Sequence, residues 1–205
     1  MELVIIRHSW TAGNEEHRYI GHTDVPLTER GIKLAKATAA IVPEVSHVYV
    51  SPLTRCRHTA QLLWDGVRQT VIDDLIEMNF GPFEGGNHAE LTGTPLYDHW
   101  VDTGRSAEIE GLESIEECTK RAVGALQRII TDATEQNFSG RIGILSHGGT
   151  LNCLLAELGR PKRERFYDWG FANCSGYIMR VDSALTELQL IDTFKSAPED
   201  AEGTV

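Results

Sequence analysis

Leu3 to Ile6 is an unbroken apolar run rich in β-branched residues, the pattern of a short strand covered on both faces. Val45 to Val50 reads as a second strand, Thr70 to Ile72 begins a third that ends near Asp73-Asp74, and Ile142 to Leu145 gives a fourth, buried strand. Between the strands the apolar period lengthens from two towards four. Thr28 stands as an N-cap with Glu29 in the first turn, ahead of Ile32, Leu34, Ala35, Ala39 and Ile41. At Ser51-Pro52 the serine is placed to cap, and the proline to take the first position, of a helix reaching Leu63. Ser114 and Glu117 have capping-box spacing ahead of a stripe formed by Ile115, Ala122, Val123, Leu126, Ile129 and Ile130. Gly148-Gly149 opens a helix through Leu151, Leu154, Leu155 and Leu158. Tyr177 to Val181 and Glu187 to Ile191 flank Asp182-Ser183 as a hairpin or adjacent edge strands.

Strands alternating with helices predict an α/β fold: a doubly wound, mostly parallel sheet flanked by helices on both faces. A single domain over residues 1–205 is expected. Residues 79–113 interrupt the alternation with Gly, Pro, Asn and acidic side chains, and are expected to form a small cap or insertion. The tail, residues 196–205, is acidic and rich in small residues, and is expected to fray.

Composition narrows the function. Nineteen Lys and Arg against thirty Asp and Glu give a formal net charge of −11. That surplus argues against nucleic-acid and anionic-membrane partners. It also argues, at first sight, against a phosphate enzyme. However, only charge within a Debye length of a site, about 8 Å at physiological salt, bears directly on its chemistry. No apolar stretch reaches membrane-spanning length, and the start lacks a signal-like pattern. Cys56, Cys118, Cys153 and Cys174 are scattered, with no Cys-x-x-Cys pair, so reduced thiols, a cytoplasmic protein and no metal site are expected.

In an open α/β sheet, ligands gather outside the carboxyl ends of the strands. Arg7-His8 follows the first strand, Arg55 the second, Glu77 the third, and Ser146-His147-Gly148-Gly149 the strand at 142–145. Taken singly, such residues are turns, surface charges and satisfied histidines. Together they are the parts of a phosphoryl-transfer site. Guanidinium forks match phosphate oxygens, an imidazole can attack phosphorus, and a carboxylic acid can protonate a leaving oxygen. Glycines at a helix start add backbone donors for an anion.

Arg7-His8-Ser9-Trp10-Thr11-Ala12-Gly13-Asn14 resembles the Arg-His-Gly-Glu-Thr-x-x-Asn signature of the histidine phosphatase superfamily, in its phosphoglycerate mutase-like branch. The resemblance continues, in order, through Arg18 to Gly21, Asp24 to Thr28, Ser51-Pro52-Leu53 with Arg55, and Thr59-Ala60. It then takes in Glu77 to Gly85, Glu113-Ser114 and Ser146 to Gly149, and is greatest to alpha-ribazole phosphatases and related broad-specificity phosphatases. It implies His8 as the nucleophile of a phosphohistidine intermediate. Arg7, Arg55 and His147 would hold the phosphoryl oxygens, with Asn14 as an added donor. Thr11, Ile20, Gly21 and Gly148 would complete the substrate site, and Glu77 would be general acid and then base. No cofactor and no metal are implied. A neutral His8 and a cationic His147 suit these roles.

Two departures stand in the signature. Ser9 replaces the usual Gly, at a cost of about 1 kcal/mol if that position needs positive φ. Trp10 replaces the usual Glu and offers an aromatic face to ligand or core. From Met78 to Glu113 the only Lys or Arg is Arg105, a poor setting for a second phosphate. Phe80, Phe83, Tyr97 and Trp100 are available instead to pack within the cap or against an alcohol group. The expected activity is hydrolysis of a small-molecule phosphate monoester, such as alpha-ribazole 5′-phosphate of cobalamin biosynthesis. A cofactor-dependent phosphoglycerate mutase and a non-catalytic phosphate-binding module are the alternatives. An edge strand near the C-terminus offers a route to a homodimer.

Overall fold

In a computed structural model, which describes residues 1–182, 184 and 186–198, a seven-stranded sheet runs in the order β3-β2-β4-β1-β6-β7-β5. Its strands are β1 (Glu2–Arg7), β2 (His47–Val50), β3 (Gln69–Val71), β4 (Arg141–Ser146), β5 (Gly159–Arg160), β6 (Gly176–Val181) and β7 (Leu188–Phe194). β3, β2, β4 and β1 pair in parallel. β6 pairs antiparallel with both β1 and β7, whereas β5 runs parallel to β7. Among the described strands β6 alone is reversed, so the sheet is mixed but mostly parallel.

The apolar run of β1 works in both directions. Leu3 and Ile5 face a cluster with Ile129 of α6 (Ile115–Glu135) and Leu151 of α7 (Gly148–Leu158). Val4 and Ile6 face Ala60 and Leu63 of α3 (Thr54–Leu63) on the other side. All four β1 side chains are fully buried. Each such burial contributes about 1.5–3 kcal/mol. Polar residues can therefore sit only where the strand ends.

The N-terminal helices are α1 (Ala12–Glu15) and α2 (Glu29–Thr38), the latter capped by Thr28, whose hydroxyl accepts from Gly31 N. α2 stops short of Ile41, which is exposed. Residues 79–113 hold a 3₁₀ turn at Gly81–Phe83, then α4 (His88–Leu91) and α5 (Pro95–Asp102). Phe83, Tyr97 and Trp100 are buried as the small core of this segment, with Tyr19 and Phe80 against them. Of the four aromatics expected to meet either cap or ligand, all meet the cap, and Phe80 also lines the cavity described below. The Ser114 capping box of α6 forms as the spacing predicts.

Several expectations need correcting. Ser51-Pro52 does not start a helix. α3 begins at Thr54, and Asp24 supplies its cap by accepting from Thr54 N at 2.8 Å. Strand β2 begins at His47 rather than Val45. The tail is not loose from Ser196, because Ala197 is buried and its N–H donates to Thr38 Oγ1 at 3.0 Å. Residues 199–205 and Ser183 of the expected turn lie outside the described residues. No helix among the described residues is long and apolar enough to cross a membrane.

Candidate active site

Register places the polar residues. Arg7 pairs with Ser146 across β1 and β4, and Val50 with Leu145 across β2 and β4. The next residues continue the ladder: His8 N donates to Ser146 O at 3.0 Å, and Ser51 N to Leu145 O at 3.0 Å. His8, His147 and Ser51 therefore emerge side by side beyond the carboxyl ends of three adjacent strands. His8 and Arg7 line a cavity of about 330 Å³ that opens there, with Glu77 and Gly148 among the other lining residues. This size lies at the small end of the range for ligand pockets.

His8 is buried, and its Nδ1 lies 2.6 Å from Ser9 O. A carbonyl only accepts, so Nδ1 carries the proton and Nε2 keeps its lone pair. Burial first, then the Arg7 and Arg55 guanidiniums, holds the His8 pKa well below the usual imidazole range. The residue is thus neutral, with Nε2 available as a nucleophile.

Arg55 is a cation only 1% exposed. Its Nη1 donates to Thr23 O at 2.9 Å, and its Nη2 to Gly21 O at 2.8 Å and Ile20 O at 3.3 Å. Its Nε donates to His147 Nδ1 at 3.2 Å. Arg7 Nη1 donates to Phe171 O at 2.8 Å, while its buried Nε has no hydrogen-bond partner among the described residues. That orphan N–H lies beside Gly148, where an added Cβ would sit 3.5 Å from it. Arg7 also lines the cavity, so the spare donor suits an anion bound there.

The Glu77 carboxylate is buried under the start of α7. Its Oε1 accepts from Met78 N at 2.8 Å and Thr150 N at 2.9 Å, and its Oε2 from Gly149 N at 3.1 Å. Oε2 has one backbone donor against two on Oε1, so Oε2 is the oxygen with room for a proton. Gly149 makes this approach possible, since a Cβ there would lie 2.6 Å from Glu77 Oε1. Asn14 and Thr11 cap α1 reciprocally. Thr11 N and Asn173 Nδ2 both point at Asn14 Oδ1, each at 3.2 Å, which leaves the Asn14 amide NH₂ as the cavity-side donor.

The structure does not bring every expected residue to the cavity wall. Thr11, Ile20 and Gly148 line it, and Gly21 does not. The Gly21 N–H is taken by Glu84 and its carbonyl by Arg55. His147 also lies off the wall, fully buried and edge-on to His8 with ring centroids 5.2 Å apart. The expected cation is a neutral imidazole. Burial first, then Arg55, His8 and Arg7, pushes its pKa well below the usual range. Arg55 donates to Nδ1, so Nε2 carries the proton and donates to Ser51 Oγ at 2.7 Å.

Ser9 shows no positive φ, so the condition for strain there is not met; it is fully buried and its hydroxyl donates to Gly31 O at 2.7 Å. Trp10 packs with Leu34, Ala35 and Cys174, under the Arg30 guanidinium at 4.0 Å, and is not on the cavity wall. Sequence reasoning missed Thr150, Asn173 and Glu84 as partners of site residues. It read Ser51 as a cap and as part of the family resemblance but not as a partner of His147, and saw no role for Tyr167 or Asn152 on the wall.

Comparison with known proteins agrees with this geometry. The chain is 34% identical over 164 residues to the adenosylcobalamin/alpha-ribazole phosphatase of Salmonella typhimurium, covering 77% of this chain and 79% of that one. It is 30% identical over 173 residues to a phosphoglycerate mutase-like protein of Arabidopsis thaliana, covering 80% and 73%. The crystal structure of the alpha-ribazole phosphatase from Shigella flexneri superposes with a TM-score of 0.79 at 27% identity, covering 95% and 96%. The model of the histidine phosphatase superfamily, branch 1, matches residues 3–193, a span that holds every residue of the site. The chain belongs to that superfamily, and it is a phosphatase.

Proposed function

We propose that the protein hydrolyses a small-molecule phosphate monoester through a phosphohistidine on His8. The observation that carries this reading is the 2.6 Å contact of His8 Nδ1 with Ser9 O, which leaves a neutral Nε2 near the Arg7 and Arg55 guanidiniums. In the first half-reaction the Nε2 lone pair forms the N–P bond while the ester P–O bond breaks. Glu77 Oε2 passes a proton to the departing alkoxide. In the second, Glu77 takes a proton from water, whose oxygen attacks phosphorus, and the N–P bond breaks to release phosphate and neutral His8. Arg7 Nε, the Asn14 amide and the Gly148 end of α7 hold the phosphoryl oxygens, while Arg55 adds positive charge behind them. The role of His147 follows from its bonds: it anchors Arg55 Nε and packs against His8, so it positions both.

Charge development is met by guanidiniums, so the reading calls for no metal and expects full turnover in chelator. Quenched wild-type reactions should contain an acid-labile phosphohistidine that His8→Ala lacks. Full phosphatase activity in His8→Ala would overturn the reading. Alpha-ribazole 5′-phosphate is the ester supported by the name of the Salmonella relative. The net charge of −11 supports an enzyme without nucleic-acid or membrane partners, and the four scattered free cysteines support a cytoplasmic one. Strand β7 pairs with β5 only at Leu188 and Gln189, and the rest of its outer edge is where a second copy would add.

A further inference from the structure

Beyond the phosphoryl end, the cavity is bordered by Arg18, Arg105 and Asn152, with Tyr19, Phe80 and Tyr167 among its rings. The two arginines differ in what they have left to give. Arg18 is spent: its guanidinium meets Glu16 at 2.6 Å and Glu90 at 2.7 Å. Arg105 has no carboxylate within ion-pair distance among the described residues. Its guanidinium carbon lies 5.2 Å from the centroid of the Trp100 ring and 4.8 Å from that of Tyr167. With two rings against it and no carboxylate beside it, the guanidinium keeps N–H groups to offer a ligand in the cavity it lines.

The backbone is bent to put it there. Arg105 has φ of 68°, the left-handed region that costs a non-glycine residue roughly 1 kcal/mol or more. It follows Gly104, which also has positive φ, at 65°. Its N–H donates back to Trp100 O at 2.7 Å, which closes the end of α5 and turns the side chain across to Tyr167 of the 3₁₀ turn Phe166–Trp169. Strain of this kind persists where the surroundings over-determine it. Here a cap residue reaches the main domain across the cavity, as a cation without a counter-ion.

The geometry points to Arg105 as a specificity-determining residue of the hydrolase proposed above: its N–H edge binds a hydrogen-bond acceptor on the alcohol portion of the ester. The class of substrate is a phosphomonoester whose alcohol carries acceptor oxygens, either neutral, as on a sugar ring, or anionic, as in a carboxylate. An ester with a bare hydrocarbon alcohol leaves this donor unused. The inference rests on the hydrolase reading and adds the alcohol side to it.

The test compares Arg105→Asn and Arg105→Lys with wild type on three esters. Asparagine removes the cation and tolerates left-handed backbone, so the fold is kept. Lysine keeps the charge without the planar fork. The probes are a heteroaromatic riboside 5′-phosphate, O-phosphoserine and phenyl phosphate. We expect Arg105→Asn to lower kcat/KM about tenfold or more on at least one of the first two. Phenyl phosphate should change by less than about twofold, and Arg105→Lys should lie between wild type and Arg105→Asn. A loss confined to O-phosphoserine assigns a carboxylate; a loss confined to the riboside assigns neutral oxygens. Equal losses on all three esters, or none on any, overturn the inference while leaving the hydrolase reading intact. A wild type inert on all three, with no trapped phosphohistidine, overturns the hydrolase reading and this inference together.

Discussion

Ser51 Oγ and His147 Nε2 lie 2.7 Å apart, 96 residues apart in sequence, in a part of the structure closed to solvent. Because Arg55 Nε takes the other ring nitrogen, Ser51 is the acceptor that fixes the His147 tautomer. Ser51→Ala leaves that buried N–H only the weakly accepting Cys56 sulfur at 3.4 Å, which costs about 1–3 kcal/mol. The expected result is a Tm lower by roughly 2–4 °C per kcal/mol, accompanied by a fall in kcat as the Arg55 anchor loosens. An unchanged melt and unchanged kcat would show that the hydroxyl is not needed there.

The two buried histidines also set a pH dependence whose sign is fixed. His8 and His147 both titrate well below 6.5 in the folded protein, so they bind their protons more readily once it unfolds. As pH falls below the unfolded value near 6.5, the unfolded chain takes up protons that the native chain refuses. Stability then drops by up to about 1.4 kcal/mol per pH unit for each histidine, until the folded pKa values are reached. Above about pH 7 neither histidine contributes a slope. Denaturant melts from pH 7.5 to 5.5 should show His8→Ala losing stability less steeply than wild type. Parallel curves would refute the shift at His8. In kinetics, the acid limb of kcat/KM due to the nucleophile should fall below pH 6.5.

The strand ends were legible because β1 and β4 are apolar and continuous, so Arg7-His8 and Ser146-His147 must emerge where the burial stops. The cap of α6 was legible for a similar reason, since Ser114 and Glu117 are only a turn apart. Ser51 was not, because Ser-Pro carries the same local signal whether the serine caps a helix or bonds a histidine from a distant strand. The cap on α3 comes from Asp24, 30 residues away from Thr54, and no local pattern announces it. Whether Ser9 carries a cost turns on its φ, and the charge of His147 on its burial, neither of which sequence displays. Arg105 left one trace, as the only Lys or Arg between Met78 and Glu113, but its contact with the Tyr167 ring joins segments that sequence spacing cannot relate.

Glu84 holds the loop that holds Arg55. Its carboxylate accepts from Gly21 N at 2.9 Å and Thr23 N at 3.1 Å, and the carbonyls of those same residues accept from the Arg55 guanidinium. Glu84 touches no reacting atom in this scheme, so it is a positioning residue. Glu84→Ala should lower kcat about tenfold or more, since small misplacements of a phosphate-site cation are costly. Glu84→Gln retains one acceptor oxygen for both N–H groups and should recover much of the loss. A merely structural role predicts a lower melting temperature, with kcat per phosphohistidine-forming site unchanged.

The strongest test of the acid assignment uses two substitutions that reach Glu77 by different routes. Glu77→Gln removes the transferable proton and leaves an acceptor oxygen for Met78 and Thr150 N–H. It should slow the formation of phosphohistidine most for alkyl esters and least for esters of acidic phenols, which leave without help. Gly149→Ala leaves the carboxyl group in place but pushes a methyl to within 2.6 Å of Oε1, so the carboxylate must shift by several tenths of an ångström or more. Misaimed rather than removed, the acid should still distinguish alkyl from aryl esters in the same direction, with a smaller contrast than in Glu77→Gln. Dephosphorylation also needs Glu77 as base, so both variants should accumulate phosphohistidine on aryl esters, visible as a burst of phenolate release. Equal slowing across leaving groups in both variants, with no burst, would place the proton donor on another residue.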